Sequence, residues 1–98
     1  MRHDEAGNDV SKATIIRKRA LDLVRDQDWS NAIKEYKRLV ELDQNNPNVH
    51  NELADLYLKT NRIQEAQAAW TKGLQYADDP EEATRMREKV ERAKAQAS

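Results

Sequence analysis

The feature that most constrains this chain is a pattern that returns at a fixed distance along it. At a shift of 34 residues the apolar positions superimpose: Ala20 falls on Ala54, Leu23 on Tyr57, Val24 on Leu58 and Trp29 on Ile63. The match continues with Ala32 on Ala66, Tyr36 on Trp70, Val40 on Leu74 and Leu42 on Tyr76. Few of these are identities, yet the size classes agree. Small residues recur where two helices must approach closely, and large ones where a gap must be filled. A period of this length means stacked copies of one supersecondary unit.

Each copy reads as two helices. Ile15, Ile16, Ala20, Leu23 and Val24 recur at helical spacing, as do Ile33, Tyr36, Leu39, Val40 and Leu42 after Ser30, a candidate N-cap. Val49, Leu53, Ala54, Leu56, Tyr57 and Leu58 form a third face, and Ile63, Ala66, Ala69, Trp70, Gly73, Leu74 and Tyr76 a fourth. Asn46 before Pro47 marks a start, because proline lacks only an amide hydrogen that would be unpaired at the first helical position. Asp78-Asp79-Pro80-Glu81-Glu82 marks another, with acids suited to the positive end of the helix dipole. The last segment carries Ala83, Met86, Val90, Ala93 and Ala97. Residues 1–10 hold charge, Gly7 and Asn8, and are expected to be a disordered tail, with Ser11 capping the first helix.

Composition agrees with helices and little else. Two Gly, two Pro and a 36% charged fraction disfavour sandwiches and barrels, which need frequent turns and β-branched runs. Leu, Ile and Val number only 17 of 98 residues, a proportion that suggests disorder in a strongly charged chain. Here 17 basic against 18 acidic residues leave a net charge of -1, which removes half of that argument and any global pull toward nucleic acid or anionic lipid. No window approaches the ~18 consecutive apolar residues of a membrane span. The first residues lack the apolar core of a signal peptide, so a cytoplasmic address is the default expectation.

The period and its residues resemble the tetratricopeptide repeat (TPR), a 34-residue helix-turn-helix unit. The resemblance is carried by Asp28-Trp29-Ser30-Asn31-Ala32-Ile33 with Tyr36, by Leu39-Val40-Glu41-Leu42-Asp43, and by Glu52-Leu53-Ala54 with Leu56-Tyr57. It implies an all-α fold, an α-α superhelix of two repeats and a capping helix. Residues 11–98 then form one domain, with repeats at 13–46 and 47–79 and the cap at 80–97. The departures are specific. Gln27 and Asn61 stand where the family has Gly at the turn within each repeat, Arg19 where it has Leu, and His50 where it has Trp. Gln44 and Asp78 stand where Pro is usual. For the cap, a strict step of 34 residues would bury Thr84, Arg87 and Glu91, whereas a step of 33 buries Ala83, Met86 and Val90. The burial requirement selects 33.

Catalysis has little to stand on. The chain has two His and no Cys, and Ser11 and Ser30 are explained as caps, so no Ser-His-acid set can be assembled without the tail. His50 lacks the second His, one turn away, of a helical zinc motif and is expected to be a packing residue. No enzymatic activity and no cofactor are expected. A free amino terminus with His3 can hold Cu²⁺ or Ni²⁺ in a square plane of nitrogen ligands, although so short a motif arises easily by coincidence. Arg17-Lys18-Arg19 lies on a helix, where neighbours point about 100° apart, so it makes no contiguous patch. Trp29, Tyr36, Tyr57, Trp70 and Tyr76 coincide with the large positions of the repeat and are expected in the core.

The family resemblance implies a scaffold that holds a peptide or a partner helix on its concave side. The implied groove positions are Arg17, Leu21, Val24 and Arg25 in the first repeat and Asn48, Asn51, Asp55, Leu58 and Lys59 in the second. Glu81, Thr84, Glu88 and Glu91 follow from the cap. Asn side chains can grip a peptide backbone, and Leu21, Val24 and Leu58 offer apolar contact. With Arg17 and Arg25 at one end and the glutamates at the other, the ligand should carry acidic residues toward the first repeat and basic ones toward the cap. Leu21 and Glu52 stand where the family's chaperone-tail clamp needs Asn, which disfavours that ligand. The alternative is self-assembly. Two repeats bury little surface, and Ile15 and Ile16 have no preceding repeat over them, so a homodimer or membership of a longer array would supply the missing contact.

Overall fold

Ala, Glu, Lys, Arg, Gln and Leu dominate the chain and are strong helix formers. In a computed structural model, which describes the backbone of residues 3–97 and the side chains of residues 12–96, they form an all-α structure. Its helices are α1 (His3–Arg25), α2 (Trp29–Leu42), α3 (Pro47–Lys59), α4 (Ile63–Tyr76) and α5 (Pro80–Ala97). None is long and apolar enough to cross a membrane. The chain divides into two compact units, Met1–Asp43 and Gln44–Ser98.

The first unit is the α1–α2 hairpin. Ala20 on α1 and Ala32 on α2 have no exposed surface, as close helix approach requires, and Ile16, Ile33, Tyr36 and Leu39 are buried with them. The turn uses a Schellman closure. The amide of Asp28 donates to Leu23 O at 2.8 Å and that of Gln27 to Val24 O at 3.0 Å. This geometry puts Gln27 at φ 62°, in the left-handed region. The second unit repeats it, with Arg62 donating to Tyr57 O at 2.8 Å and Asn61 to Leu58 O at 3.0 Å, and Asn61 at φ 63°. The two residues that replace glycine therefore still take glycine's conformation.

A prediction follows from the difference between them. A side chain in the left-handed region costs about 1–2 kcal/mol, less for Asn, and Gly returns part of the gain to the unfolded chain. Gln27→Gly should therefore stabilise the protein by roughly 0.5–1 kcal/mol, raising Tm by about 3–6 °C. Asn61→Gly should do distinctly less. Thermal melts followed by circular dichroism check the order.

Three helix starts differ from or refine the sequence expectation. The α1 backbone is helical from His3, so it takes in most of the segment expected as a tail, and Ser11 lies inside the helix rather than capping it. Extending an existing helix adds one hydrogen bond per residue fixed. Ser30 is likewise not the cap of α2: the tight Schellman turn delivers the chain into the helix earlier, and Asp28 is the N-cap. Its carboxylate accepts the Asn31 side-chain amide at 2.8 Å instead of a backbone amide. Asn46 does cap α3, its Oδ1 accepting from the Asn48 amide at 2.9 Å ahead of Pro47.

In the second unit α3 packs on α4 and α4 on α5. Ala54 and Ala66 are fully buried, matching Ala20 and Ala32 one period earlier, and Leu53, Leu56, Tyr57 and Trp70 are buried too. Asp79 Oδ1 accepts the Glu81 amide at 3.1 Å at the start of α5. Met86 and Ala93 are buried, Ala83 and Val90 half-buried, and Thr84, Arg87 and Glu91 exposed, which is the register of the 33-residue step. Where the first unit has Leu39 the second has Gly73, and where it has Ile16 the second has His50. A Cβ added at Gly73 would meet Met86 Cε, with His50 Cβ at 3.1 Å and Pro47 O at 3.4 Å. The missing side chain is the space into which α5 inserts its methionine.

Candidate functional site

In the first unit the expected positions 17, 21, 24 and 25 share one face of α1. Leu21 is 50% exposed, one of three large apolar side chains that are so exposed among the described residues. Val24 and Arg17 are half-buried. Arg25 is exposed, and its Nη2 lies 3.0 Å from Asp22 Oδ1, so part of the expected basic character is neutralised within α1. Of the basic run, Arg19 turns toward α2, with Nη1 3.9 Å from Glu35 Oε1, while Lys18 is exposed.

In the second unit positions 48, 51, 55, 58 and 59 follow one another along α3. Asn48 and Lys59 are exposed, and Leu58 is half-buried. Asn51 and Asp55, one helical turn apart, meet a residue that the sequence does not single out. Lys89 of α5 places its Nζ 3.1 Å from Asn51 Oδ1 and 3.4 Å from Asp55 Oδ1. The same Asn51 oxygen accepts the Trp70 indole N–H at 2.8 Å, and the Lys89 ammonium sits 6.0 Å from the Trp70 ring centroid. Three helices thus converge on one ammonium. A signal for it exists: at the 33-residue step Lys89 falls on Leu56, which is buried, so a charge there calls for a partner.

On α5, Glu81, Thr84, Glu88 and Glu91 are all exposed. The surface is not purely acidic. Arg87 and Arg92 line the same shallow cleft as Glu88 and Glu91, over Leu74 and Val90. Glu91 Oε2 also lies 3.6 Å from Lys94 Nζ.

The residues considered for chemistry are absorbed by structure. His50 is 2% exposed. Its Nε2 lies 2.7 Å from Gln44 O, and its ring stacks on Tyr76 at 5.9 Å and 15°. It fills space and closes the chain onto the start of α3, as a packing residue does. Tyr36, Tyr57 and Trp70 are buried, and Trp29 and Tyr76 half-buried. Among the described residues no group of three His, Asp or Glu could hold a metal ion. The candidate copper or nickel site at His3 lies outside the described side chains.

Residues 20–61, from the middle of α1 through the turn after α3, match the family model described as the TPR repeat. The matched stretch is a tetratricopeptide repeat, and the five-helix, all-α fold fits a protein of that family. The match spans the end of one helix pair and the start of the next, and the helical hairpins with their paired alanines and left-handed turns carry the same unit. No curated protein matches the chain closely enough to count as a relative. The tetratricopeptide family is a non-catalytic repeat family whose members generally mediate protein–protein interactions.

Proposed function

We propose that this protein binds a peptide or a partner helix through the face of α1 bearing Arg17, Leu21, Val24 and Arg25. In the second unit, taken by itself, the face of α3 bearing Asn48, Asn51, Asp55, Leu58 and Lys59 is a candidate binding face of the same kind. The observation that supports the reading is Leu21: a large apolar side chain half in water, at a position that the family resemblance implies for the groove. Polar residues flank it on the same helix face and can bond a peptide backbone without demanding one sequence. Arg17 favours acidic residues on the ligand at that end.

The test is selection of binding peptides from a random library, followed by affinity measurements on variants. Leu21→Glu should weaken the selected peptides at least about tenfold, or ~1.4 kcal/mol. Charge reversal at Arg17 and Arg25 should weaken acidic ligands at low salt and matter little at high salt. Unchanged affinity in Leu21→Glu would sink the proposal.

A second reading is favoured by a different observation. Ile15 and Leu42 are also strongly exposed, and with Ile16, Lys12, Arg19 and Arg38 they line a cleft of 410 Å³ on the α1–α2 hairpin. A second copy of the chain, or a further repeat of a longer array, would cover it. Sedimentation equilibrium separates the two: a dimer abolished by Ile15→Glu and untouched by Leu21→Glu supports self-assembly.

A further inference from the structure

The Lys89 cluster is arranged as a receptor whose ligand the chain itself supplies. Around the ammonium stand a carboxylate oxygen at 3.4 Å, an amide oxygen at 3.1 Å and an indole face. The Trp70 N–H donates to Asn51 Oδ1, the same oxygen that faces the ammonium. The cluster therefore offers acceptors and a π face, a combination suited to a cation.

Its occupant is loosely held. The Lys89 and Asp55 side chains are 32% and 45% exposed, and ion pairs at such exposure contribute little because water and salt screen them. A guanidinium is a better match than an ammonium. It is planar, more weakly hydrated, able to bond a carboxylate in parallel pairs and able to stack on an indole.

The geometry points to Asn51, Asp55 and Trp70 as a cation subsite that a partner's arginine side chain enters by displacing Lys89. The inference deepens the peptide-binding reading and rests on it, because Asn51 and Asp55 belong to the same α3 face. Lys89 then acts as a built-in competitor. It keeps the indole covered when no partner is bound and makes a basic side chain on the ligand compete for its place.

The test uses N-acetyl-arginine amide as probe and the neutral N-acetyl-citrulline amide as control. Binding is read from the indole N–H resonance of Trp70, with Trp29 as internal reference. Lys89→Met keeps an apolar stem over the indole and removes the competing charge, and should bind the arginine probe about two- to fivefold more tightly than the wild type. Adding Asp55→Asn should abolish the gain, and citrulline amide should give no response. Lys89→Gln replaces the methionine variant if that variant loses cooperative unfolding. Equal arginine affinity in wild type and both Lys89 variants, or equal binding of citrulline, overturns the subsite. A library-selected peptide titrated into the same samples keeps the two ideas apart. If that peptide shifts the Leu21 and Leu58 amides while the arginine probe binds nowhere, the subsite falls and the peptide reading stands. Arginine binding with no response to any peptide leaves the subsite and removes the reading.

Discussion

Truncating Trp70 to alanine is expected to destabilise the protein by about 3–5 kcal/mol, the usual range for a large aromatic removed from a packed interior. Trp70 is 1% exposed and among the largest fully buried side chains. Its loss removes apolar burial from α4, takes the N–H from Asn51 Oδ1 and strips the surface over which Lys89 lies. A chain of this length has roughly 5–15 kcal/mol of stability in all, so a large share of it hangs on this one residue. Urea titration followed by circular dichroism gives the number. Trp70→Phe separates the contributions. It keeps most of the ring and loses the hydrogen bond, and should cost about 1–2 kcal/mol. A Trp70→Ala variant with unchanged urea midpoint would mean that α4 is not anchored where the buried indole places it.

Gly73 yields the second large effect. Alanine at an ordinary helical glycine gains about 1 kcal/mol in helix propensity. Here the added Cβ would meet Met86 Cε and crowd His50 Cβ at 3.1 Å, and overpacking a filled core costs about 1–3 kcal/mol. Gly73→Ala should therefore be destabilising by about 1 kcal/mol in spite of propensity, and Gly73→Leu by about 3 kcal/mol or more. The two sites should be coupled. Met86→Ala alone costs about 2–5 kcal/mol. In its background Gly73→Ala should turn neutral or favourable, a coupling of at least about 1 kcal/mol. Strict additivity in this cycle would show that Met86 does not occupy the space above Gly73.

How much of this was legible follows from what each residue had to do. The period, the close-packed alanines and the register of α5 could be read, because they depend on size and burial alone: Ala20, Ala32, Ala54 and Ala66 are all without exposed surface. The Asn46 cap could be read because Asn followed by Pro leaves few alternatives. The cap of α2 could not. Both Asp28 and Ser30 are good capping residues, and the choice was made by the left-handed turn at Gln27. Of the interaction faces, the sequence places Leu21 in water through its position in the repeat. It does not reveal that Arg25 pairs with Asp22 or that Lys89 reaches Asn51 and Asp55. Long side chains choose among several partners, and only the packing of three helices narrows the choice.

The hollow at Gly73 also limits how the parts of this protein can be rearranged. A capping helix that projects Met86 is keyed to a repeat with no side chain at that point, and the first repeat carries Leu39, fully buried, at the equivalent place. Grafting α5 behind a copy of the first repeat would set methionine against leucine. The reverse graft, a generic cap behind the second repeat, would leave a cavity lined by His50. Repeat and cap therefore form a matched pair that must be transplanted together, and shortening or lengthening the array by engineering has to cut ahead of α3 rather than between α4 and α5.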